Sequence, residues 1–108
     1  MIDKKYGKLI YIASSLSRYV AEGFFAYAGA KSAVDAMAKS LAMELGPKGI
    51  ITNFIASGLI ETGVTADYPK EPKEMIVKFT PLKRVDAPID VVNVVLFLVS
   101  LSILFSKA

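Results

Sequence analysis

Two unbroken apolar runs, Leu9-Ile10-Tyr11-Ile12-Ala13 and Ile50-Ile51-Thr52-Asn53-Phe54-Ile55-Ala56, flank a single long helical pattern, and this arrangement narrows the possible folds more than any other feature. A run without polar alternation is the signature of a strand covered on both faces, as in a parallel sheet. Between the runs, Ala30, Ala33, Val34, Met37, Ala38, Leu41, Ala42 and Leu45 recur at steps of three and four, which places them on one helical stripe starting from Tyr27. Gly46 is the expected left-handed residue after the last turn, and Pro47 the residue that cannot continue the helix. Strand, long helix and strand form a βαβ unit, whose crossover is right-handed and whose strands are parallel. The fold class is therefore α/β, and residues 1–108 are one domain's length at most.

Between the first strand and this helix, Ser14 to Phe25 form a polar and aromatic connection containing Gly23. Beyond the second strand and the Ser57-Gly58 pair, Thr62 to Lys73 is rich in turn formers, with Pro69 and Pro72, and is expected to run over the mouth of the sheet. A short helix is predicted over Glu74 to Phe79, bounded by Pro81. A third is predicted from Pro88, with Asp90 at its positive end and Val91, Val92, Val95, Leu96 and Val99 as a wide apolar face. Leu101 to Phe105 suit either the last turn of that helix or a further strand.

Composition removes several function classes. The chain has neither cysteine nor histidine, so disulfides, thiolate catalysis and the usual metal ligands are absent, and no metal site is expected. Acid–base work must then fall to Tyr, Lys, Asp or Glu. Thirteen basic and 10 acidic residues give +3, scattered without the basic stripe that follows a phosphate backbone, which argues against nucleic acid. The first eight residues lead into no apolar stretch with a cleavage site, so a cytoplasmic location is expected. Val91 to Phe105 falls short of the roughly 20 apolar residues that cross a bilayer, and a buried helix is the expectation there. A chain that is 54% hydrophobic, with mean hydropathy +0.48, nevertheless calls for a partner surface.

The chemistry concentrates at one place. Tyr27 and Lys31, four residues apart, share a helix face, and an ammonium beside a phenol favours the phenolate that acid–base chemistry requires. Such a short spacing also arises by chance. Ser14 stands at the end of the first strand, the edge where α/β folds place ligands, and its hydroxyl can donate to a substrate oxygen or simply satisfy local backbone. Ser15 competes for that role. Ser57-Gly58 follow the second strand at the same edge, where a glycine allows a sharp turn and close approach of a ligand. Asn53, a polar residue within the second run, reads as a structural tie.

The ordered series Ile-Ala-Ser-Ser (12–15), Tyr-Ala-Gly-Ala-Lys-Ser-Ala (27–33), Leu-Ala-Met-Glu-Leu-Gly-Pro-Lys-Gly-Ile (41–50) and Asn-Phe-Ile-Ala-Ser-Gly-Leu-Ile-Glu-Thr (53–62) resembles the C-terminal half of the short-chain dehydrogenases/reductases. The resemblance continues through Thr80 to Arg84 and Asp90 to Leu98, and spans roughly Gly7 to Ser100. It implies part of a Rossmann-like, doubly wound parallel sheet. It implies Tyr27 as catalytic acid/base, Lys31 as the residue that tunes it and holds the nicotinamide ribose, and Ser14 as the donor to the substrate carbonyl. Gly58, Ile60 and Thr62 would lie against the nicotinamide carboxamide. The implied reaction is hydride transfer between NAD or NADP and a small-molecule carbonyl or an acyl-thioester substrate.

Two positions depart from the family pattern: Ser57 stands where proline is usual, and Ser17 where glycine is common. Serine before the glycine occurs in some enoyl-acyl-carrier-protein reductases, whereas the Tyr27–Lys31 spacing is of ketoreductase type, so the substrate is a carbonyl or an enoyl thioester. No Gly-rich turn follows a first strand in these residues, so the pyrophosphate cradle has no candidate and the lone chain is expected to lack competence. The resemblance further implies a homo-oligomer through the tyrosine-bearing helix, or pairing with a complementing N-terminal fragment. The alternative is a non-catalytic interaction module built on the same exposed apolar surface.

Overall fold

In the computed structural model, which describes residues 1–15, 22–63 and 70–100, the two apolar runs form β1 (Gly7–Ser14) and β2 (Ile50–Ser57). They pair in parallel and in register from Gly7 against Ile50 to Ser14 against Ser57, so both strands end at one level. The helix between them, α1 (Phe25–Leu45), begins two residues before Tyr27, which places the tyrosine in its first turn. No side chain caps that end, and the helical hydrogen bonds begin with the Ala28 N–H donating to the Phe24 carbonyl at 2.8 Å.

Gly46 does not take the left-handed conformation expected of it. Its φ and ψ are −54° and −48°, and the chain continues into one 3-10 turn over Gly46–Lys48 before Gly49 reverses it at φ 81°. Pro47 tolerates this because a first-turn residue needs no N–H acceptor within the helix. Gly49 also meets the N-terminal segment: a Cβ there would lie 2.8 Å from the Lys5 carbonyl carbon. Hydrogen and approach are therefore both required at this position.

The remaining helices are α2 (Lys70–Phe79) and α3 (Pro88–Ser100). α2 starts four residues earlier than the sequence suggests, because Pro72 falls in its first turn, where the missing N–H has no acceptor to lose. α3 begins at Pro88 as expected. The first apolar run also reaches further than its apolar residues, and Ile12 is 44% exposed, so it is not the doubly covered strand expected from its pattern. Two strands are too narrow a sheet for both faces to be closed.

Helices nonetheless lie on both sides of it. Leu9 and Ile50 approach Leu45 of α1, and the Lys39 ammonium sits 5.8 Å over the Phe54 ring. Lys8, the neighbour that alternation turns to the other face, donates from Nζ to the Leu98 and Val99 carbonyls at 3.2 and 2.9 Å. Those are end-of-helix carbonyls of α3, where a cation is favoured. The buried apolar side chains among the described residues are Ala13, Ala38 and Ile50, all at the α1–sheet contact or its edge. On α3, Leu96, Phe97 and Val99 are 57%, 62% and 49% exposed.

Asp90 holds the start of α3. Its carboxylate accepts from the Ala87 N–H at 2.8 Å and from Arg84 Nη1 and Nη2 at 2.8 and 3.1 Å. The Arg84 hydrogen bonds, then the Ala87 N–H, hold its pKa below the ordinary 3.8. A depressed carboxylate stabilises the fold above its unfolded value, and that contribution fades as pH falls through the folded value. Asp90→Asn is therefore expected to flatten the acid limb of a thermal unfolding profile between about pH 5 and about pH 2. A limb as steep as the native one would refute this.

Candidate active site

The parallel register sets Ser14 and Ser57 side by side at the C-terminal edge of the sheet, the edge where open α/β sheets bind ligands. Ser14 is buried, at 7% exposure. From the first turns of α1, Lys31 reaches back to this edge and donates from Nζ to the Ile12 carbonyl at 3.1 Å. The same ammonium lies 5.8 Å from the centre of the Tyr27 ring, within the range of a cation–π contact. Tyr27 itself is 47% exposed, and Phe24 meets its ring edge-on with centroids 6.5 Å apart. Tyrosine, lysine and the end of β1 are thus brought into one neighbourhood, with Tyr27 half-exposed and Ser14 buried.

No acidic side chain lies in the first turn of α1, so the positive end of its dipole is not offset locally. Tyr27 and Lys31 both carry hydrogen-bond donors in this first turn. An ammonium has three donor protons, and the Ile12 carbonyl takes one.

The loop after β2 leaves the same edge of the sheet. The Leu59 carbonyl accepts from the Asp86 N–H at 2.9 Å, and the Glu61 N–H donates to the Asp86 carbonyl at 2.8 Å, so Ile60 and Asp86 form an isolated parallel bridge beyond β2. Gly58 does not use a left-handed φ; a Cβ there would stand 3.6 Å from Asp86 Oδ2, an ordinary contact. The chain itself therefore leaves room at Gly58. Ile60 and Thr62 border an apolar concavity of about 380 Å³, whose other wall is Pro88, Val91 and Val95 of α3.

Asp86 belongs to no local pattern, and Glu61, although within the motif at 53–62, carries no role legible from its spacing; both act through contacts made across the chain. Of the residues singled out, Ser17 and the rest of 16–21, with 64–69 and 101–108, lie outside the described residues. Among the described residues no group of His, Cys, Asp or Glu is arranged to hold a metal, and no helix is long and apolar enough to cross a membrane.

The family described as Enoyl-(Acyl carrier protein) reductase matches residues 1–104. The 3-oxoacyl-[acyl-carrier-protein] reductase of Buchnera aphidicola is 38% identical over 100 residues, covering 93% of this chain and 41% of that protein. A Brucella melitensis 3-oxoacyl-[acyl-carrier protein] reductase with bound NAD superposes with a TM-score of 0.79 at 33% identity, over 91% of this chain and 36% of that one. A Beutenbergia cavernae protein assigned as an NAD(P)-dependent gluconate 5-dehydrogenase, with NADP at low occupancy, gives a TM-score of 0.84 at 31% identity, over 91% and 40%. The chain thus spans about two-fifths of the length of the relatives it matches. With its strand–helix–strand unit, its tyrosine–lysine pair at the strand edge and a family match running from residue 1 to residue 104, the chain belongs to the short-chain dehydrogenases/reductases.

Proposed function

We propose that the chain is the C-terminal portion of a Rossmann-like oxidoreductase domain that reduces a carbonyl or enoyl thioester with NAD(P)H. The observation that carries this is the placement of Lys31: one ammonium touches the end of β1 and faces the Tyr27 ring at 5.8 Å. The donor set fits a nicotinamide nucleoside. Lys31 would hold the ribose hydroxyls, and Ile60 and Thr62 would meet the carboxamide beside Gly58, where the chain leaves space. The cofactor, when bound, supplies the hydride.

The protein's own part is to hold the substrate oxygen and move a proton. Ser14 Oγ donates a hydrogen bond to that oxygen, which stabilises the charge that develops on it. The Tyr27 phenol transfers its proton to the same oxygen as the bond order falls, and Lys31 stabilises the phenolate left behind. Names of relatives such as the Buchnera enzyme support a 3-oxoacyl thioester as the substrate class. The pyrophosphate-binding turn comes from outside these residues, which contain no Gly-rich turn after a strand.

A second reading has its own observation. Phe25, Met43, Phe79 and Phe97 are 88%, 81%, 76% and 62% exposed, which suits an interaction module or a subunit interface. Consumption of NADPH and NADH with acetoacetyl and crotonyl thioesters distinguishes the two. Turnover is expected when a Gly-rich dinucleotide-binding βαβ segment is supplied in the same polypeptide or in trans. A stable complex with that segment and no turnover of either thioester would sink the enzyme reading in favour of the module.

A further inference from the structure

Glu61 lies between Ile60 and Thr62, and its side chain takes no part in the chemistry described above. Both of its carboxylate oxygens instead meet Lys73 of α2, at 2.8 and 2.7 Å from Nζ. The lysine side chain is 23% exposed and the glutamate 46%, so the pair is solvent-accessible and acts on the scale of a surface ion pair. The Glu61 backbone is tied on the other side by its N–H to the Asp86 carbonyl, at 2.8 Å. The residue is therefore held between two separate parts of the chain.

α2 needs such a tie. Met75, Ile76 and Phe79 are 61%, 41% and 76% exposed, so the helix has little buried apolar surface to fix it against the sheet. Lys73 is in the first turn of α2, and the reach of one lysine side chain puts that turn beside the loop after β2.

We propose that Glu61 and Lys73 are a positioning pair: their ion pair anchors the first turn of α2 to the loop carrying Ile60 and Thr62, and so sets where those residues stand. The consequence for a bound nicotinamide rests on the functional reading above; the mechanical tie does not. Loss of the pair loosens both ends together, the helix and the loop. Because the two charges are interchangeable in such a tie, exchanging them restores it.

Amide hydrogen exchange over residues 70–79 and 61–63 tests the tie in the chain itself, with Glu61→Gln, Lys73→Gln and the exchanged double variant Glu61→Lys/Lys73→Glu. Each single variant is expected to exchange about two- to fivefold faster in both segments, the scale of a solvent-exposed ion pair, and the double variant to return to within about twofold of native. Native rates in the single variants, or a double variant as fast as the singles, would overturn the tie. NADH fluorescence titration of the active assembly then tests the positioning: Glu61→Gln should raise the dissociation constant by about the same two- to fivefold with the limiting rate unchanged. Unchanged NADH affinity alongside faster exchange would overturn the positioning role. A native protein that binds no NADH, yet loses and regains protection as described, overturns the functional reading and supports the tie.

Discussion

On the proposed function, and in the assembly completed by a dinucleotide-binding segment, Tyr27→Phe is expected to lower thioester reduction by about 10²–10⁴-fold, the usual contribution of a positioned acid–base group, while leaving the fold intact. The substitution removes one oxygen atom. Tyr27 is 47% exposed and its ring meets Phe24 edge-on, a contact that phenylalanine retains. Stability should change by no more than about 0.5 kcal/mol, as for other surface replacements. The comparison of limiting rate and unfolding midpoint separates the two effects cleanly. A phenylalanine variant within threefold of the native rate would remove Tyr27 from the proton path.

Lys31 sharpens this test because it makes two contacts of different kinds. Its Nζ donates to the Ile12 carbonyl at 3.1 Å and faces the Tyr27 ring. Lys31→Met keeps most of the length and loses both the donor and the charge, so it should reduce the rate and also free the end of β1. Only the rate should respond to Tyr27→Phe.

The largest effect on stability is expected at Gly49. Gly49→Ala forces a side chain into φ 81°, a left-handed conformation that costs about 1–2 kcal/mol for an L residue. It also drives a Cβ against the backbone of Lys5, 2.8 Å from the carbonyl carbon, which adds about 1–3 kcal/mol of overpacking unless the N-terminal segment moves away. Roughly 3 kcal/mol is a large share of the 5–15 kcal/mol that holds an ordinary domain together. Ile50, the next residue, is 2% exposed and begins β2, so displacement there would be felt in the buried end of the sheet. Gly46→Ala is the control: that residue has φ −54° and open space around it, so alanine should be neutral or stabilise by up to about 1 kcal/mol. Urea unfolding of the three proteins measures this, and equal midpoints for the two variants would contradict it.

The contrast between these two glycines shows where the sequence was readable. The helix ends near Leu45, as its pattern indicates, and a glycine does reverse the chain. Local signals pointed to the glycine nearest the last apolar residue. The choice of Gly49 is made by the N-terminal segment, whose Lys5 backbone passes close enough to exclude any side chain. In the same way Pro72 marks a turn in the sequence but sits inside α2, because first-turn residues need no N–H partner. The tyrosine–lysine pair was legible from its spacing, since four residues is a fixed geometry on a helix. The Glu61–Lys73 and Arg84–Asp90 pairs differ in this respect: one joins a loop to a helix 12 residues away, and the other follows a turn of no regular period.

By itself, then, the sequence determined the order of elements, the parallel βαβ unit and the family, because hydrophobic period and short motifs are local and survive in the chain's own text. Tertiary structure decided what meets at the edge of the sheet: Ser14 beside Ser57, Lys31 on the Ile12 carbonyl, and Asp86 clasping the loop of Ile60 and Thr62. It also decided how far the strands are covered, leaving Ile12 half-exposed although its run is continuous. Those outcomes depend on distances between segments remote in sequence. Packing and hydrogen bonding set such distances only when the whole chain has folded.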